Sequence, residues 1–153
     1  MVVKKLKEFL DSNNIKYDTI MHTPSYTAQE IAASAHISGK EVAKTVLVNI
    51  DSKMTMVVLP ASHKIDLGLL KKIVRADIVK LAEEQEFESR FPDCDLGAMP
   101  PFGNLYGMDV FVEDKLTEDE EIAFSAGSHA ELIKLAYKDF ETLVHPKLVH
   151  ISY

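Results

Sequence analysis

Strand-like and helix-like hydrophobic periods mix along this chain without strict β-α-β alternation, which predicts an α+β fold on a mixed, strongly curved sheet. Three observations carry that prediction. Residues 42–50 and 54–60 are two apolar runs separated by Asp51-Ser52-Lys53, the pattern of a hairpin. Two stretches, Thr27-Ala28-Gln29-Glu30 and Ser128-His129-Ala130-Glu131, have the spacing of helix capping boxes. The 153 residues are 46% hydrophobic and 27% charged with no repeat or linker, so one domain over 1–153 is expected, with enough apolar material for a core.

Taken in order, residues 3–13 read as an amphipathic helix with Val3, Leu6, Phe9 and Leu10 on one side and Asn13-Asn14 ending it. Ile15 to Met21 reads as a short strand. The Thr27 box opens a helix through about Ala35, with Ile31 and Ala35 inward. After the hairpin, Asp66 is an N-cap for a helix carrying Leu67, Leu70, Ile73 and Val74. Ile78 to Leu81 is expected as a strand, 83–90 as a short acidic helix, and Met108–Val112 and Glu121–Ser125 as strands. The Ser128 box predicts a helix with Leu132, Leu135 and Ala136 inside. Val144 or Leu148 to Ile151 closes the sheet.

The net charge of −7 argues against broad non-specific binding to nucleic acid, DNA included, because a protein held by phosphates is usually basic. Basic residues gather only at Lys4, Lys5 and Lys7 and at Lys71, Lys72 and Arg75. No apolar run reaches membrane-span length, and Met1 to Lys7 lacks the apolar core of a signal peptide, so no membrane partner and a cytoplasmic location are expected. The single cysteine, Cys94, excludes an intrachain disulfide and lies between Asp93 and Asp95, which disfavour a thiolate. No histidine pair has metal-ligand spacing, and no Walker loop, GxGxxG or GxSxG occurs, so no metal and no cofactor are expected.

Lys44 breaks the apolar run 42–50. Either face of the strand places its ammonium among apolar neighbours, so it needs a partner, a solvent-filled cavity, or a strand mouth from which to reach water. The segment Pro92 to Gly107 holds three glycines and three prolines and no charge between Asp95 and Asp109. It reads as a preformed loop, either a pocket wall with amide donors or a crossover packed by Met99, Phe102 and Leu105. Gly127, before the expected Ser128 helix, places amides and a helix dipole where an anion would bind, with His129 in the first turn or simply at the surface beside the cap.

Three stretches in order, Ala43-Lys44-Thr45-Val46-Leu47-Val48, Gly97-Ala98-Met99-Pro100-Pro101-Phe102-Gly103 and Ser125-Ala126-Gly127-Ser128-His129, resemble the YbaK/prolyl-tRNA synthetase-associated editing domain family. The resemblance covers essentially the whole chain. It implies a mixed sheet wrapped by helices and an aminoacyl-tRNA deacylase acting in trans on a mischarged tRNA, that for proline among the candidates. Lys44, Gly97 and His129 are then the expected catalytic residues. Ala98, Met99, Pro100, Pro101, Phe102, Gly127 and Ser128 are expected to bind substrate, with Met99 and Phe102 setting pocket size. The expected partners are the aminoacyl-tRNA acceptor end and, for tRNA selectivity, an aminoacyl-tRNA synthetase. The rival reading is a binding module of the same fold that holds a small ligand or protein without hydrolysis.

Overall fold

The computed structural model describes residues 3–22 and 41–153; the helix expected from Thr27 to Ala35 lies outside them. The described elements are α1 (Lys4–Ser12), β1 (Tyr17–Met21), β2 (Val42–Ile50), β3 (Lys53–Pro60), α2 (Leu67–Val74), β4 (Val79–Leu81), α3 (Glu84–Phe87), β5 (Val110–Glu113), β6 (Glu121–Ser125), β7 (Glu131–Ala136), α4 (Tyr137–Val144) and β8 (Lys147–Val149). Eight strands form one mixed sheet in the order β1-β7-β6-β2-β3-β5-β8, with β4 added to β2. The expected α+β class is what the chain adopts.

Sequence chemistry explains most boundaries. Asp51 and Ser52 both take positive φ, at 49° and 70°, as the tight two-residue turn of a β2–β3 hairpin requires. Lys53 therefore already belongs to β3, opposite Ile50. Asp66 caps α2 through its carboxylate, which accepts from Leu69 N at 3.0 Å. Glu83 and Glu86 form a capping box on α3, and a 3-10 turn continues it over Glu88–Arg90.

The sheet is buried on both faces. Ala43, Leu47, Met56 and Val58 pack with Leu6 and Leu10 of α1, Phe140 of α4, and Phe102 and Phe124. Val48, Val57 and Leu59 point the other way, onto Leu70 of α2, Phe111 and Ile151. This alternation is the period-2 geometry of a strand with apolar residues on each side.

One expected helix is a strand. Glu131–Ala136 pairs antiparallel with β1 on one edge and β6 on the other. A central strand needs apolar residues on both faces, and Leu132 enters one cluster while Ile133 and Leu135 enter another. That pairing overrides the Ser128 box, which is only a turn: Ser128 Oγ accepts from Ala130 N at 3.4 Å. The helix comes afterwards as α4, in which Val144 is buried, so the closing strand is β8 alone.

Candidate functional site

A break in the sheet creates the site. Strand β6 runs parallel to β2 for two pairs, Val42↔Ala123 and Ala43↔Phe124, and then leaves it. On the same edge β4 joins β2 at Val48↔Leu81 to Ile50↔Val79. Between them, among the described residues, Thr45 lacks a partner strand on this edge, beside an open cleft of about 160 Å³ lined by Val42, Ala43, Lys44, Thr45, Gly97, Met99 and Ser125. Ligands bind open sheets where neighbouring strands diverge because main-chain groups there lack ladder partners.

The opposite wall is the glycine- and proline-rich loop. Gly97 has φ of +85°, a left-handed conformation that a side chain would strain. The loop is clasped to the β6–β7 connection by two hydrogen bonds of 2.8 Å, Asp95 N to Gly127 O and Gly127 N to Ala98 O. Gly127 itself has φ of +110° and lies against the Val3 side chain, and Val3 N donates to Ala126 O. This clasp brings His129 beside Gly97: a Cβ on Gly97 would stand 3.5 Å from His129 Cε1. Lys44 and Gly97 thus line one cleft, and His129 lies behind its rim, against Gly97.

Lys44 is half-buried. Its Nζ donates to Ala61 O at 3.3 Å, and burial lowers its pKa below the ordinary lysine value, with the charge of Lys64 adding to the effect. Its partner is a peptide carbonyl and not a carboxylate, so the ammonium keeps net positive charge for a ligand. In the loop, Ala98 N is used internally, on Asp95 O at 3.0 Å. The amides of Gly97 and Met99 donate to no acceptor among the described residues, which leaves two donors on the wall.

Other expected site residues fall elsewhere. Phe102 is fully buried, with ring centroids 5.5 Å from both Phe124 and Phe140 and 6.2 Å from Phe9. It belongs to the core and not to the pocket wall, so Met99 alone of the expected size-setting pair lines the cleft. Ala98, Pro100 and Pro101 are buried behind that wall. Gly127, Ser128 and His129 sit in a strand connection, and the helix dipole expected there does not exist. Thr45 and Ser125 were not singled out from sequence. Both lie inside the stretches that carry the family resemblance, which is the signal that points to them.

Cys94 is half-buried, 3.6 Å from Tyr106 Oη and from Asp93 Oδ1, and burial pushes its thiol up to about 11, aided by Asp93 and Asp95. It is a poor nucleophile at neutral pH. Among the described residues, Glu113, Asp114 and His150 place potential metal ligands within 4.8 Å of one another. The buried Glu113 carboxylate already accepts from Ile151 N, Ser152 N, Ser152 Oγ and Lys115 N, each at 2.9 Å, so its lone pairs serve the fold. No described helix is long and apolar enough to cross a membrane.

Comparison with known proteins places this geometry in context. The profile of the aminoacyl-tRNA editing domain family matches residues 22–143. The proline–tRNA ligase of Bacillus cytotoxicus is 26% identical over 92 residues, 60% of this chain and 16% of the ligase. That of Bacillus mycoides is 26% identical over 82 residues, 53% of this chain and 14% of the ligase. The chain thus matches only a small part of the length of these curated relatives. Among solved structures, a hypothetical protein superposes with a TM-score of 0.87 at 18% identity, covering 98% of this chain and 100% of its own. A candidate trans-editing enzyme for prolyl tRNA synthetase gives 0.84 at 15% identity, covering 99% and 96%. These structures share the fold.

Proposed function

The chain belongs to the aminoacyl-tRNA editing domain family, and from that premise we propose that it acts in trans as a deacylase on a mischarged tRNA, that for proline first among the candidates. The observation that carries the reading is the meeting of Lys44 with Gly97 and Met99 at one cleft, with His129 packed against Gly97. The kinship with prolyl-tRNA ligases supports proline tRNA as the carrier.

The reaction needs little from the protein. An aminoacyl ester is already activated, so water adds to the acyl carbon and the C–O bond to the terminal ribose breaks. The ribose oxygen leaves with a proton, giving the amino acid and uncharged tRNA. The amides of Gly97 and Met99 stabilise the oxyanion formed on water attack. Lys44, charged and without a carboxylate partner among the described residues, holds the terminal phosphate or the developing negative charge. His129, beside Gly97, orients the water or the ribose hydroxyl next to the ester. A cleft of about 160 Å³ favours a small amino-acid side chain, with Met99 limiting its length. The acidic surface restricts contact to the acceptor end, and a partner synthetase supplies the selection of tRNA.

The test is a deacylation panel. Proline tRNA charged with alanine, serine, cysteine or proline, and other mischarged tRNAs, is incubated with wild type and with Lys44→Ala, whose folding is checked by circular dichroism. Rapid clearance of one mischarged species, abolished by Lys44→Ala, is the expected result. No clearance of any species by folded wild type overturns the proposal in favour of a binding module.

A further inference from the structure

The register of β2 decides which main-chain groups face the cleft. Ala61 N donates to Val42 O at 2.7 Å, so Val42 and its β3 partner form a hydrogen-bonded pair. In an antiparallel ladder such pairs alternate. Lys44↔Leu59 and Val46↔Val57 are therefore hydrogen-bonded, and the N–H and C=O of Thr45, opposite Val58, point away from β3. Bonds on the other edge agree: Ala123 N donates to Glu41 O at 3.0 Å and Ala82 N to Leu47 O at 2.9 Å. Residues 41, 43, 45 and 47 thus all turn their peptide groups toward β6 and β4. Thr45 lies where neither strand pairs with β2, and it lines the cleft. Among the described residues nothing accepts from its N–H or donates to its C=O.

We infer that the Thr45 main chain pairs with the substrate's amino acid as though it were a one-residue antiparallel strand. The Thr45 carbonyl accepts from the substrate's α-amino group, and the Thr45 N–H donates to the acyl carbonyl oxygen. This inference rests on the deacylase reading and adds a chemical criterion to it: the cleft takes esters with a free α-amine and passes over N-acylated ones. Three features argue for it. Among the described residues only Thr45 is open on this edge, because Lys44 and Val46 bond to β3 and Leu47 O already accepts from Ala82 N. One substrate residue therefore fits opposite Thr45, and an N-acyl extension beyond it meets Ala82. Chain polarity sets the direction, because the Thr45 N–H lies toward Lys44 and its C=O toward Val46. The acyl carbonyl, with the ribose and phosphate behind it, then faces the Lys44 end. The substrate ammonium sits at the far end, away from the lysine charge, so the two cations do not compete.

The experiment compares three esters of the tRNA that the panel identifies, or of an RNA minihelix of its acceptor stem. These carry the amino acid itself, its des-amino analogue, and its N-acetyl derivative, with each rate divided by that of spontaneous hydrolysis. The des-amino and N-acetyl esters are expected to be cleared at least tenfold more slowly. Equal normalised rates for all three overturn the Thr45 role while leaving the deacylase reading intact. Binding gives a readout independent of turnover: ¹⁵N-labelled protein is titrated with 3′-alanylamido-3′-deoxyadenosine, whose amide resists hydrolysis. The Thr45 amide is expected to shift and its exchange with solvent to slow at least tenfold, with a smaller response to the propionyl analogue. An unmoved Thr45 amide, with or without responses at Gly97 and Ser125, overturns the inference even if no ester is hydrolysed.

Discussion

Replacing Glu113 with glutamine tests whether a buried carboxylate fastens the C-terminal segment under the site. Glu113 is fully buried. Burial by itself would raise its pKa, but hydrogen bonds involving Asp114, Lys115 N, Ser152 Oγ and Ile151 N outweigh it and hold the group down at about 2, against an ordinary 4.5. Ile151 to Tyr153 in turn pair with the segment after Ala61: Asp66 N donates to Ile151 O and Lys64 N to Tyr153 O, both at 2.7 Å. A pKa held below its unfolded value means that the contribution is fully present above pH 4.5 and fades as pH falls through about 2. Each unit is worth about 1.4 kcal/mol. The part of the shift owed to a proton shared with Asp114, whose own pKa is raised, is absent once both groups ionise, so the carboxylate contributes on the order of 2 kcal/mol at neutral pH. Glutamine keeps one acceptor oxygen but turns an amide donor toward Lys115 N or toward the Ser152 group, leaving buried donors facing one another. Urea unfolding at a series of pH values is the assay. Glu113→Gln should be less stable by about 2–4 kcal/mol at pH 7, and the gap should close as pH approaches 2. A gap below about 1 kcal/mol at pH 7, or one that does not change with pH, refutes the reasoning.

Two glycines should respond with opposite signs. Gly127→Ala forces a side chain into Val3 at φ of +110° and loosens the clasp to the Gly97 loop, so thermal unfolding should show a loss of about 2–3 kcal/mol. Gly68→Ala lies in α2, where a Cβ meets only Asp66 Oδ1 at an ordinary 3.5 Å, and should stabilise by about 0.5–1 kcal/mol. Cys94, with its thiol pushed up to about 11, should react with iodoacetamide at pH 7.5 at least tenfold more slowly than a cysteine in a short peptide. Equal rates would show that the thiol is not shielded.

What could be read from sequence was what local chemistry decides. The hairpin was legible because alternating apolar residues on either side of Asp51-Ser52 leave little choice of structure. The Asp66 cap was legible because a carboxylate three residues before an amide has a direct partner. The convergence of Lys44 with the Gly97 loop was an expectation from resemblance, and the cleft lining brings them together. The Ser128 box failed because its local preference is worth less than the two ladders that hold Glu131–Ala136. Composition left Phe102 open between pocket wall and packed crossover, because it does not say which aromatic turns inward; Phe102 packs on Phe124 and Phe140. The gap beside Thr45 was invisible, since it depends on where β6 departs from β2, a choice made by strands about 80 residues apart.

The two-rung seam between β2 and β6 also orders the assembly of the protein. The β2–β3 hairpin closes a loop of two residues, whereas the seam joins segments about 80 residues apart and must overcome the larger closure entropy. Ser125 and the Gly127 clasp lie on the far side of that closure. A chain emerging during synthesis therefore carries Lys44 on a formed hairpin long before it has a cleft, and the site comes into being in one late step, when the two parts of the sheet meet.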